Sequence, residues 1–122
     1  MKKLFISCPM RDRTDENIRN SMARMHKIAE GWFGEELEVI PTYIPDSAPE
    51  NITRSRIWYL GESIKMMSEA DYFIGIEWDP AVPGCNVERE VAMSYKIPFA
   101  LVAMRYVMPD AYEISERYSE DI

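Results

Sequence analysis

The sequence predicts an α/β fold: a single-domain Rossmann-like or flavodoxin-like sandwich on a mostly parallel sheet of four to five strands. Three observations predict it. Short apolar runs alternate with segments of helical period in the order β-α-β-α-β-α-β, and such alternation favours parallel strands joined by right-handed crossovers. The run DYFIGI at 71–76 is nearly all apolar, as in a strand covered on both faces. The chain has 122 residues, enough for one core and not for two, so residues 1–122 read as one domain.

The elements follow in order. KLFIS (3–7) is a short apolar run ended by CPMRDR, consistent with a buried first strand. Thr14 is a good N-cap, with Asp15 and Glu16 in the first turn where the helix dipole favours acids. Ile18, Met22, Met25, Ala29 and Trp32 then form one apolar helix face, which Gly31 or Gly34 ends. LEVI (37–40) is the second strand. Residues 41–53 hold three prolines and no clear period, so they read as a loop, long enough for a lid or site element. Tyr43 and Asp46 are lid candidates by position only, and the simpler reading of both is an ordinary solvated loop. A second helix is predicted from Ser55 to Glu69 with Ile57, Leu60, Ile64 and Met67 inward, a third from Asn86 to Tyr95, and a last strand at 97–104. The acidic tail after Pro109 reads as a short helix or a flexible segment.

Composition narrows the function. Hydrophobic residues make up 47% of the chain, which marks a globular domain. A net charge of −7 argues against a nucleic-acid polymer as partner, whereas a small phosphate-bearing ligand needs only a local cluster of donors. No apolar run is long enough to span a membrane, so no membrane partner is expected. The opening MKKLFISCPM lacks the length and cleavage site of a signal peptide, which leads us to expect a cytoplasmic protein with Cys8 and Cys85 reduced. Two cysteines and one histidine do not make a zinc site, and neither a P-loop nor G-x-G-x-x-G is present; no metal or cofactor is expected. His26, off the apolar face, reads as a surface histidine. Trp58 and Tyr59 fit core packing or a dimer contact, and also stacking on a base.

Ligands of open α/β sheets bind beyond the carboxyl ends of the strands, where three loops meet: 7–14, 41–53 and 77–86. In the first, Ser7 offers a hydroxyl, Pro9 stiffens the turn, and Arg11 and Arg13 either reach a phosphate or sit in solvent; Asp12 opposes an anion there. In the third, Gly84 permits a tight turn and Cys85 or Asn86 caps the helix, placing Glu88 and Glu90 near its start, where acids favour the dipole. Glu88 shares its face with Ala92 and Tyr95 and Glu90 does not. Glu88 is therefore the acid that can enter the crevice, where a carboxylate can attack or stabilise a positive sugar carbon.

KKLFISCPM, ADYFIGI and PGCNVEREVAMSYKIPFALV together resemble the nucleoside 2-deoxyribosyltransferase superfamily, which includes the 2′-deoxynucleoside 5′-phosphate N-hydrolases. The closest likeness is to its small bacterial and phage branch, and it spans the chain to about residue 104. The resemblance implies a nucleophilic glutamate at Glu88, a Gly-Thr-type turn at Gly84 and Cys85, and a first ligand loop at Ser7, Cys8, Pro9 and Met10. It further implies an Asp-initiated strand at Asp71, whose side chain or neighbours order the base, and the proline of the last strand at Pro98. Three departures stand out. Cys8 replaces a glycine, Cys85 replaces a threonine, and the place of a second carboxylate holds Ser63, with Glu62 beside it. The implied function is cleavage or transfer of an N-glycosidic bond of a nucleoside or nucleotide by a homodimer or higher homo-oligomer. The alternative is a catalytically inactive regulator or sponge that binds a nucleotide-derived signal on the same scaffold.

Overall fold

The computed structural model describes residues 1–120 apart from Tyr43 and Pro45, and the backbone alone for 118–120. In chain order it contains β1 (Lys2–Ile6), α1 (Asp15–Phe33), β2 (Leu37–Val39), α2 (Ser55–Met67) and β3 (Tyr72–Ile76). These are followed by α3 (Pro83–Ser94), β4 (Phe99–Val102), α4 (Met104–Val107) and α5 (Pro109–Glu120). The four strands form one all-parallel sheet in the order β2-β1-β3-β4, flanked by helices. This is the α/β architecture the sequence predicts.

Strand alternation divides the core in two. Leu4, Ile6, Ile74, Ile76, Ala100 and Val102 meet Met25 and Ala29 of α1, Met104 of α4, and Met108 and Ala111 at α5. Phe5 and Phe73 point the other way, with parallel rings 5.9 Å apart, and pack with Met67 of α2 and Ala92 of α3. The chain reverses direction across the sheet between β1 and β3, the place where a doubly wound fold opens a crevice.

Local signals explain the helix ends. The Thr14 hydroxyl accepts the Asn17 N–H at 3.1 Å, and Gly34, at φ 74°, takes the left-handed cap that closes α1. The apolar face of α1 differs by one position from the expected one: Trp32 is exposed, and Phe33 instead stacks on Tyr72 at 4.2 Å. Ser21, not a hydrophobic residue, is also buried there. His26 is half-buried rather than solvated, its Nε2 lying 2.8 Å from the Leu37 carbonyl oxygen, so it ties α1 to β2.

Two larger differences matter for the site. Helix α3 begins at Pro83, three residues before the expected start, because proline suits the first helical position and lacks an N–H that would go unbonded there. Gly84 is therefore helical and not a tight turn. Asn86 is no cap; its amide bonds the Asp79 carbonyl at 2.7 Å and accepts the Asp79 N–H at 3.2 Å, fastening the loop after β3. Pro109–Glu120 is helical, one of the two readings of this segment. Met108 and Ala111 enter the core, and Asp110 pairs with Arg13 at 2.7 and 3.0 Å.

Arg13 has a side chain only 1% exposed. Its remaining donors reach the carbonyls of Pro9 (2.8 Å) and Asn17 (3.2 Å), the Ser21 hydroxyl (2.6 Å), and the sulfurs of Cys8 and Met108. The guanidinium hydrogen bond holds the Asp110 carboxyl below its ordinary value. Its contribution is thus full above the unfolded value of 3.8 and is lost as the pH falls through the lower folded value. Asp110→Asn is expected to destabilise by roughly 1–3 kcal/mol at pH 7, because a buried guanidinium loses its counter-charge. In urea unfolding at a series of pH values, the gap from wild type should close below pH 3.8.

Candidate functional site

The carboxyl ends of β1 and β3 open into a cavity of about 560 Å³. Its walls come from the loop after β1 (Cys8, Pro9, Met10), the loop after β2 (Thr42, Ile44) and α2 (Arg56, Ile57, Tyr59, Leu60, Ser63). The start of α3 and the face of α5 complete it. Most of the lining is apolar. Met10, Ile57, Tyr59 and Val87 stand exposed there, so Ile57 faces the opening and not the core as its helical spacing predicts.

Glu88 lies at the cavity wall and is 8% exposed. Starting α3 at Pro83 places it in the second turn, away from the stabilising field of the helix start, so dipole design does not explain its position. Two hydroxyls hold it: Ser7 Oγ donates to Oε1 at 2.8 Å, and Ser63 Oγ donates to Oε2 at 2.5 Å. Glu90 is exposed, as the comparison of helix faces predicts. Burial raises the Glu88 carboxyl above its ordinary value of 4.5, and the Ser63 and Ser7 hydroxyls oppose that rise by stabilising the anion.

Ser7 is fully buried and supports Glu88 from behind rather than lining the cavity. Its N–H bonds the Ile74 carbonyl at 2.9 Å, continuing the β1–β3 ladder and fixing its direction. Gly75 lies alongside. A Cβ there would sit 2.7 and 2.9 Å from ring carbons of Phe73 and 3.6 Å from Ser7 Cβ, so the close approach requires glycine.

Cys8 and Cys85 both reach the wall and are buried free thiols. Burial pushes Cys85 up to about 12, with the Ser7 hydroxyl opposing and the Glu88 charge adding to the rise. Burial also raises Cys8, against the neighbouring Arg13. Both therefore stay thiols near neutral pH and are weak nucleophiles.

Several expected residues take other roles. Arg13 borders the cavity, but its guanidinium donors are engaged within the fold, so it is not a phosphate anchor. Arg11 does line the cavity and lies 3.8 Å from Asp12. Asp71 is removed from the site: it precedes β3 at the amino end of the sheet, where its carboxylate accepts the Lys3 N–H at 2.8 Å. Glu62 pairs with Lys65 at 2.8 Å and is not on the cavity wall, whereas Ser63 beside it is. Trp58 is also off the wall, in edge contact with Tyr59, while Asp46 is exposed and Tyr43 lies outside the described residues. The wall contributed by α5 (Ala111, Ile114, Ser115) had only weak sequence signals, in the helical spacing of Ala111 and Ser115. Among the described residues no group of three or more His, Cys, Asp or Glu could hold a metal ion, and no helix is long and apolar enough to cross a membrane. Comparisons with protein-family models, curated proteins and solved structures return no match.

The raised Glu88 value gives a signed prediction. The folded state holds this proton more tightly than the unfolded one, so Glu88 lowers stability as the pH rises from 4.5 through its folded value. Glu88→Gln should raise the melting temperature by a few degrees at neutral pH, and the gain should vanish below pH 4.5 in a thermal unfolding series.

Proposed function

We propose that the cavity binds a nucleoside or nucleotide and that Glu88 cleaves or transfers its N-glycosidic bond. The observation that carries this reading is a single buried carboxylate, clamped through both oxygens, beside a largely apolar cavity at the carboxyl ends of the central strands. The apolar walls and Tyr59 suit a base, Arg11 and Arg56 suit a phosphate, and Glu88 suits the sugar carbon between them. The resemblance carried by the PGCNVERE segment agrees with this assignment.

One Glu88 oxygen forms a bond to the anomeric carbon through an oxocarbenium-like transition state, and the C–N electron pair leaves with the base. Water, or the nitrogen of a second base, then attacks the same carbon. The carboxylate departs with its electron pair, and the incoming group loses its proton to solvent. Ser7 and Ser63 act as positioning residues, fixing the carboxylate and favouring its charged form. We place the protein in the cytoplasm and as at least a homodimer, for which light scattering at several concentrations is the check.

A second reading has one observation in its favour. The resemblance implies a second carboxylate where Ser63 stands, and among the described residues Glu88 is the sole acid on the wall. On that reading the scaffold binds a nucleotide-derived ligand without altering it. The deciding experiment incubates wild type and Glu88→Ala with nucleosides and nucleotides of neutral and cationic bases, and follows free base by chromatography. The catalytic reading expects release that falls by at least about 10³-fold in the variant. Ligand bound in calorimetry but recovered intact supports the second reading, and no binding at all overturns both.

A further inference from the structure

We propose that the bond cleaved at this site joins the sugar to a cationic heteroaromatic base, as in an N-ribosylpyridinium or an N7-alkylated purine nucleotide. This rests on the glycosidic reading of Glu88 and narrows it to a leaving-group class. A neutral base departs as an anion unless a proton reaches its ring as the C–N bond breaks, so a general acid near the base speeds such cleavage by about 10²-fold or more. A base that already carries a positive ring charge needs none: the C–N pair simply neutralises it.

Among the described residues the cavity wall offers no second carboxyl group and no imidazole for that role. Glu88 is its one carboxyl group, and both of its oxygens accept hydroxyl hydrogens, which prepares it as the attacking anion. Glu62 is turned away toward Lys65, and Asp71 lies at the opposite end of the strands. Cys85, at about 12, and the raised Cys8 hold their protons near neutral pH. The other polar side chains on the wall are aliphatic hydroxyls, guanidiniums and the phenol of Tyr59, whose oxygen accepts the Ala48 N–H at 3.1 Å. The charge pattern also fits a zwitterionic nucleotide. A ring cation beside the sugar is attracted to Glu88, and Arg56 supplies positive charge on the same wall for a phosphate.

The atoms balance without a proton donor. A Glu88 oxygen bonds to the anomeric carbon and the C–N pair moves into the ring, releasing a neutral base. Water then attacks the anomeric carbon, its proton passes to solvent, and the pair in the ester C–O bond returns to Glu88.

The test uses the full chain with four probes: nicotinamide mononucleotide, N7-methylguanosine monophosphate, and the monophosphates of deoxyadenosine and deoxyuridine. Base release is measured from about pH 5 to 8, with Glu88→Ala as the background. The expected result is Glu88-dependent release from one or both cationic probes at least about 10²-fold faster than from the neutral ones, the usual lower bound for a general acid. The rate should rise with pH as Glu88 ionises and then stay level. Which cationic probe reacts identifies the pyridinium or the purine source. Neutral bases released as fast as cationic ones, with a bell-shaped profile, overturn this inference and leave the glycosidic reading standing. No Glu88-dependent release from any probe overturns both.

Discussion

A carboxylate withdrawn from water and gripped by two serine hydroxyls is the interaction on which the site depends. Burying an unpaired carboxylate is costly, and hydrogen bonds from neutral donors recover part of that cost. Here burial prevails, because Glu88 remains raised despite both hydroxyls. A strained balance of this kind is common where a group is kept for reactivity and not for stability. Each partner comes from a different element: Ser7 follows β1, Ser63 lies on α2, and Glu88 lies on α3. The strand order brings these together, since α2 and α3 cover the same sheet face and the crevice opens between β1 and β3.

A second cluster ties the cavity to the rest of the fold. Arg13 links the loop after β1 to α1 and to Asp110 at the start of α5. Asp79, in the loop after β3, accepts the Ser115 hydroxyl of α5 at 3.3 Å and is bonded in turn to Asn86 of α3. Helix α5 is thus held at both strand-end loops while its inner face forms a wall. The C-terminal segment, beyond the reach of the family resemblance, contributes to the shape of the cavity.

Much of the frame was legible in the sequence. The apolar runs marked all four strands, Thr14 marked the start of α1, and helix-face geometry separated Glu88 from Glu90. What was not legible depended on three-dimensional closure. The spacing of α1 fits Trp32 as well as Phe33, and only the position of Tyr72 chooses between them. Pro83 resembles a turn residue until the helix is seen to begin on it. Arg13 looks like a solvated loop arginine because its partner Asp110 is 97 residues away. Asp71 immediately precedes β3 and so stands at the end of the strand away from the crevice. The Ser7–Glu88–Ser63 clamp joins residues 81 and 25 positions apart, which no local pattern reveals.

The most direct test of the proposed nucleophilic role for Glu88 is to trap the covalent bond that this role requires. A 2′-fluoroarabinosyl pyridinium nucleotide carries a good leaving group, while its fluorine destabilises the oxocarbenium-like transition state of the second step, so a sugar–enzyme ester should persist. Intact-mass and peptide mass spectrometry after incubation should show one added sugar phosphate per chain, located on Glu88 and absent from Glu88→Gln. Pyridine release without an adduct on Glu88, or an adduct mapped to another side chain, would contradict the account.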